Sequence, residues 1–195
     1  MPATSSAMRD RLLDVAQDLV QRRGLNAMSF QDLSNLSASV KRASITTSLA
    51  KATWSPLCWR GIASSSLHAW NGSCRQRAPA LRKLKAYFAL FSETLQEEPH
   101  ERNCLCGILA AELLSLREDT VEQVRAFFQD NTRVIVQILR YGRLDGTLSY
   151  RGDPTRFAGV ILSSLEGALL IARCVGGPEH LDSVLRMLLD LARAE

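Results

Sequence analysis

The stretch "RLLDVAQDLVQRRGLNAMSFQDLS" (Arg11–Ser34) decides how this chain is read. Apolar residues recur at helical spacing: Met8 just ahead of the stretch, then Leu12, Val15 and Leu19, with Leu13 and Val20 beside them. The pattern stops at Arg22-Arg23-Gly24, which sets positive charge against the negative end of the helix dipole and follows it with a C-terminal glycine. Ser29 and Asp32 then form a capping box in its carboxylate variant and open a second short helix to about Leu36. A third short helix is expected to start near Val40. Three short helices, the last two joined by a tight turn, make a helix-turn-helix reading head.

Helical periodicity resumes after a weakly patterned middle. "APALRKLKAYFALFSETLQEE" opens with Pro79 in a helix's first turn and ends before Pro99. "RNCLCGILAAELLSL" reads as another helix, and "EDTVEQVRAFFQDNTRVIVQILRYG" as a long one closed by Gly142. After the glycine-rich connector "GRLDGTLSYRGD" come "PTRFAGVILSSLEGALLIARCV", a break at Gly176-Gly177-Pro178, and a final amphipathic helix, "EHLDSVLRMLLDLARAE". No run alternates with period two for long enough to make a strand, so the expected fold is all-α with about nine helices.

Two of these helices carry more apolar surface than one packing face needs. In the run from Phe157, one face holds Phe157, Val160, Ile161, Ser164, Ala168 and Ile171, and a second holds Leu162, Leu165, Leu169 and Ala172. Ser163, Ser164, Gly167 and Ala168 are small enough for close helix approach. A helix apolar nearly all round is buried on two sides, either as the central helix of a monomer or at a four-helix seam with a second copy.

Composition narrows the function classes. Apolar residues make up 46% and charged residues 23%, ordinary for a soluble globular chain. Arg9 and Asp10 precede any apolar run, so no signal peptide is expected. The most apolar run is bracketed by Arg156 and Arg173 and broken by Glu166, which reads as too short and too charged to span a bilayer. The cysteines, five in number, follow no framework spacing and suit a reduced, cytoplasmic protein. His68, His100 and His180 stand at no ligand spacing to them, so no metal and no cofactor are expected. No P-loop, G-x-S-x-G or H-E-x-x-H occurs, and no catalytic residue is assigned.

Charge is unevenly spread. Residues 1–92 hold 13 Lys/Arg against 4 Asp/Glu, whereas the remainder holds 11 against 16. Between Leu33 and Ser92 no acidic residue occurs. A basic first part on a mildly acidic remainder suits a polyanion-facing head or, more blandly, a solvated basic face.

The opening stretch, together with "CLCGILAAELLSL" and "LEGALLIARCVGGPEHLDSVL", resembles regulators of the tetracycline-repressor (TetR) family. The resemblance covers residues 9–45 and about 80–193, the span over which the helical patterns hold. It implies a helix-turn-helix DNA-binding domain over 1–50 and an effector-binding and dimerisation domain over 51–195. It further implies a homodimer through residues 154–193, a palindromic double-stranded DNA operator and a small-molecule effector that releases it. Carried over residue by residue, the DNA-binding set is Ser29, Lys41, Arg42, Ala43, Ser44, Thr46 and Lys51. Lysine and arginine on the reading helix can take phosphates or guanine edges, and serine can take phosphate. Ser29 caps the second helix, whose N-terminal amides also receive phosphate.

The family pattern breaks midway. Between Leu33 and Val40 stand six residues, "SNLSAS", where the family has a shorter turn with a glycine. After "KRASI" it continues with aromatic residues, a lysine and a leucine, whereas this chain reads "TTSLAKATW", in which Lys51 alone fits. Codon arithmetic accounts for this. With one nucleotide missing near codon 46, Thr46 and Thr47 shift to codons that permit His and Tyr, Leu49 to one that permits Phe, and Trp59 to Leu. Residues from about Thr46 to Ala78 therefore read as an out-of-frame passage, or else as true divergence, and Thr46 stands where an aromatic or histidine contact belongs.

Cys104 and Cys106 flank a helix start, where the dipole stabilises a thiolate. They read either as an oxidant or electrophile sensor or as small core residues. Tyr87, Phe88, Phe91, Phe127 and Phe128 recur at helical spacing and read as core, though in the family the effector pocket lies among those helices. The function expected is a ligand-responsive transcriptional repressor. A dimeric ligand-binding protein with impaired or no DNA binding is the alternative.

Overall fold

The computed structural model describes residues 15–27, 78–95, 101–175 and 177–193. Among them stand six α-helices: α1 over 15–23, α2 (Ala80–Thr94), α3 (Leu105–Ala111), α4 (Glu118–Leu144), α5 (Pro154–Val175) and α6 (Glu179–Ala192). A 3-10 turn (Leu113–Ser115) joins α3 to α4. Among the described residues the only β pairing is a bridge between Leu148 and Arg193. The all-α class holds; the rest of the nine expected helices lie outside the described residues.

The ends of these helices follow local chemistry. Gly24 closes α1 in the left-handed region (φ 86°), with its N–H on the Val20 carbonyl at 2.9 Å, as the glycine signal implied. Asp153 caps α5 through Oδ1, which accepts from the N–H groups of Thr155 and Arg156, each at 2.9 Å. Asp145 ties two helices together. Its N–H takes the Tyr141 carbonyl at the end of α4, while Oδ2 accepts the Ala80 N–H at the start of α2, 2.8 Å away. Slight burial pushes the Asp145 carboxyl up, but hydrogen bonds from Thr147 and Ala80 and the charge of Lys83 hold it below the usual value.

α5 is the centre of the body and packs against α2, α4 and α6. Its core residues Ala158, Ile161, Leu162, Leu165, Ala168, Leu169 and Ala172 meet Leu84, Phe88 and Phe91 of α2, Ile135 and Ile138 of α4, and Leu181 and Leu188 of α6 in one cluster. A second, smaller cluster sets Val20 of α1 against Leu105 and Leu109 of α3 and Val124 of α4.

Four expectations shift. α1 buries Ala16 and Val20, while Val15 and Leu19 are only half-buried, so the inward stripe is rotated by about one residue from the one expected. Gly142 does not end α4: the helix runs on to Leu144, and a Cβ at 142 would stand 2.3 Å from Leu148 Cδ1. That glycine is there for close approach. The helix expected from "RNCLCGILAAELLSL" divides into α3 and the 3-10 turn. Finally, α5 is 22 residues long and by length and composition could cross a membrane, contrary to the reading of its apolar run as too short and too charged. Its inward face is nevertheless packed against helices of the same chain, whereas Val160, Leu170, Ile171 and Val175 are exposed.

Candidate functional site

Ser29, Lys41, Arg42, Ala43, Ser44, Thr46 and Lys51, and the whole passage 46–77, lie outside the described residues. Three arrangements within the described residues bear on function: a buried polar cluster, an uncovered apolar stripe, and the joint where α1 meets the body.

The buried cluster gathers around Glu166. A lone carboxylate on the central helix, it is largely buried, and desolvation pushes it up to about 7 even though the Cys104 thiol hydrogen-bonds to it. Its Oε1 is buried with no hydrogen-bond partner. Its Oε2 lies where a Cβ on residue 107 would approach within 2.5 Å, so Gly107 makes room for the carboxyl. Nearby, Tyr87 donates its hydroxyl to Asn131 Oδ1 at 2.8 Å, and Asn131 Nδ2 donates to the Phe127 carbonyl at 2.8 Å. Burial, then the charges of Glu166 and Cys104, push the Tyr87 hydroxyl far up. It therefore stays protonated, as a donor.

Cys104 precedes α3 and Cys106 lies in its first turn, and both are buried. Burial first, and then the neighbouring Glu166, push the Cys104 thiol well above its ordinary value, more than the N–H groups of Gly107 and Cys106 lower it. The dipole stabilisation expected for a thiolate here is outweighed. A reactive thiol uses an exposed setting, and both cysteines are buried. Of the two readings of the pair, this burial fits that of small core residues.

The apolar stripe runs along α5 and α6. Val160, Leu170, Ile171 and Val175 are each 46% exposed or more, and Met187 and Leu191 on α6 are 59% and 55% exposed. The second α5 face expected from the sequence, Leu162, Leu165, Leu169 and Ala172, is core. The first face divides: Ile161 and Ala168 point inward, Val160 and Ile171 outward.

The joint is polar and spans the chain. The last carbonyls of a helix have no partner within it. In α1 the Gln21 carbonyl accepts from the Asn103 N–H at 3.2 Å, and the Arg22 carbonyl accepts from Arg173 Nη2. Gln21 Nε2 returns a bond to the Asn103 carbonyl at 2.9 Å. With its amide oriented by this network, Asn103 donates Nδ2 to the Leu169 carbonyl at 3.3 Å and accepts from Arg173 Nη1 at 3.1 Å. Asp18 pairs with Arg102 at 2.6 Å and Arg22 at 3.0 Å, and Arg22 reaches Glu101 at 3.3 Å. Burial would raise the Asp18 carboxyl, but Arg22 and Arg102 together hold it low. Beyond the helix, Glu112 Oε2 accepts the Asn26 N–H at 2.9 Å.

Asn103, Glu166 and Arg173 did not emerge from the sequence as functional. Glu166 and Arg173 counted only as charges marking off an apolar run. The available signal was the single carboxylate on a helix apolar all round, since glutamate is almost never buried without a reason.

Residues 80–188 match the model of the family described as tetracyclin repressor-like, C-terminal domain. No curated protein matches the chain in sequence. Among solved structures, a TetR-family transcriptional regulator from Agrobacterium tumefaciens is 24% identical with TM-score 0.83, over 97% of this chain and 99% of that one. A TetR transcriptional regulator from Legionella pneumophila is 26% identical with TM-score 0.74, over 95% and 97%. Another from Chloroflexus aurantiacus is 18% identical with TM-score 0.79, over 99% and 100%. These neighbours are regulators rather than enzymes, and the match through the body joins a fold shared along nearly the whole chain: this protein belongs to the tetracycline-repressor family of transcriptional regulators.

Proposed function

We propose that the chain is a ligand-responsive repressor that binds a palindromic operator as a homodimer and leaves it when a small molecule occupies the body. Residues 1–50 form the reading head and 51–195 the effector and dimer domain, in the cytoplasm. The observation that carries this reading is the joint, where the terminal carbonyls of α1 accept from the Asn103 N–H ahead of α3 and from Arg173 of the central helix α5. A change in the pose of α5 therefore reaches the head directly. The effector acts by favouring the conformer whose two heads are wrongly spaced for successive major grooves, and its differential affinity for the two conformers is the whole of the coupling. The uncovered stripe of α5 and α6 supports a dimer seam within 154–193.

Operator contact is assigned to Ser29, Lys41, Arg42, Ala43, Ser44, Thr46 and Lys51. The test is a mobility-shift titration on the promoter of the protein's own gene at several salt concentrations. Lys41→Ala and Arg42→Ala are each expected to weaken binding and flatten the salt slope by about one unit, with dimerisation intact. An unchanged slope in both would move the binding surface elsewhere.

The altered stretch "TTSLAKATWSPLCW" (Thr46–Trp59) favours a second reading, a dimeric ligand-binding protein without operator binding. The coding DNA across codons 36–80 separates a frame slip from divergence. A frame-restored protein that binds the promoter where this chain does not would establish the second reading for the chain as it stands.

A further inference from the structure

We propose that Arg173, together with Asn103, is the positioning pair that sets the pose of the reading head on the body. The inference rests on the regulator reading above and adds the residues through which the body holds the head.

α1 stops at Gly24, and the Gln21 and Arg22 carbonyls of its last turn need donors from outside the helix, at a site of partial negative charge. Arg173 meets that need from the body. Its guanidinium forks: Nη2 donates to the Arg22 carbonyl and Nη1 to Asn103 Oδ1. Asn103 is buried, 2% exposed, and spends its groups on the same few partners. Its N–H and carbonyl bond reciprocally with Gln21 of α1, and its side-chain amide reaches the Leu169 carbonyl and Arg173 of α5. The end of α1 cannot slide along α5 without breaking several of these bonds together.

The planar fork matters more than the charge. A lysine at 173 could satisfy the Arg22 carbonyl or the Asn103 oxygen, but its single nitrogen lacks the geometry to hold both in one plane. Position on α5 matters as well. Arg173 lies one and two residues beyond Ala172 in the core and Ile171 in the uncovered stripe, so one turn of helix touches the interior, the outer apolar face and the head. Asn103 is also followed directly by Cys104, whose thiol meets Glu166. The segment that grips α1 is thus in contact with the buried carboxylate of the body.

The test compares the full-length parent with Arg173→Ala, Arg173→Lys, Asn103→Ala and Gln21→Ala. Three quantities are read: affinity for promoter DNA and for random DNA at one salt concentration, dimer mass by light scattering, and hydrogen exchange of the amides of residues 20–24. Arg173→Ala is expected to weaken promoter binding about tenfold while random DNA changes by about twofold or less, because the spacing of the heads is lost and their charge is not. Exchange at residues 20–24 should quicken about tenfold, and the dimer should persist. Arg173→Lys should fall between the parent and Arg173→Ala. Should Arg173→Ala fail to fold, Gln21→Ala, half-buried at the rim, carries the same expectation at about threefold. Equal losses on promoter and random DNA, or unchanged exchange at residues 20–24, overturn the proposal. A parent that does not prefer its promoter to random DNA would defeat the regulator reading instead, and the exchange measurements would still decide the grip.

Discussion

The two hydrophobic clusters are held together differently. Around α5 the body is closed by large apolar side chains, with Leu84, Ile135, Ile138, Leu165 and Leu169 almost entirely shielded from solvent. Under α1 the cluster is small, with Val20, Leu105, Leu109 and Val124 as its buried members, and its margin is a set of directional polar bonds. Apolar burial is non-directional and tolerates little rearrangement once closely packed. Hydrogen bonds and half-exposed ion pairs contribute little net energy but define a geometry, and they exchange readily for water. The body is therefore built to persist and the attachment of α1 to be reset.

The sharpest way to break this contrast is to weaken each cluster in turn. Leu165→Ala empties part of the body's core and should cost about 2–5 kcal/mol, read as a fall in the thermal midpoint of the whole protein. Val20→Ala should cost less and show mainly as faster hydrogen exchange in α1. A larger global loss from Val20→Ala than from Leu165→Ala would mean that the small cluster is the structural heart.

The outer face comes next. Ala168, 3% exposed, belongs to the interior of the monomer, so a glutamate there would damage the body and say nothing about a seam. Ile171, 46% exposed, is the informative position. Ile171→Glu should weaken the dimer by about a hundredfold, or about 2.7 kcal/mol, with helix content unchanged by circular dichroism. Light scattering that still finds a full dimer at micromolar concentration would remove α5's stripe from the seam.

An effect confined to neutral and higher pH should come from Glu166. Its carboxyl is raised from 4.5 to about 7 in the folded protein, so the folded state holds this proton more tightly than the unfolded chain does. The penalty for ionising it is absent below about pH 4.5, grows as pH rises and is complete above about pH 7. Glu166→Gln should match the parent near pH 4.5 and be more stable by about 3 kcal/mol at pH 8, as denaturant melts at the two pH values would show. Equal stabilities at pH 8 would mean that water already reaches the carboxylate.

The smallest perturbation is chemical. Cys174 is exposed, whereas Cys104 and Cys106 are buried. In native protein treated with a thiol reagent and mapped by peptide mass, Cys174 should be the first of these three to be modified, and Cys104 and Cys106 only as the body opens. Early modification of Cys104 would favour the sensor reading of that pair.

Much of this architecture is written in local sequence. Gly24 stops α1, Pro79 precedes α2, and the core positions Leu162, Leu165, Leu169 and Ala172 follow from periodicity alone, because caps and stripes depend on backbone geometry within a turn or two. Helical periodicity likewise carried the all-α class, and the motifs at both ends of the chain carried the family. What the sequence left open were relations between distant segments. Only packing turned Ala16 and Val20 inward in place of Val15 and Leu19, and set Leu148 against Gly142, a glycine that reads locally as a stop. The joint is the extreme case: Gln21, Asn103 and Arg173 are 82 and 70 residues apart in the chain, and no periodicity links them. Orphan carbonyls at a helix end demand some donor, but which residue supplies it depends on how the chain folds back, and that is settled by the tertiary structure.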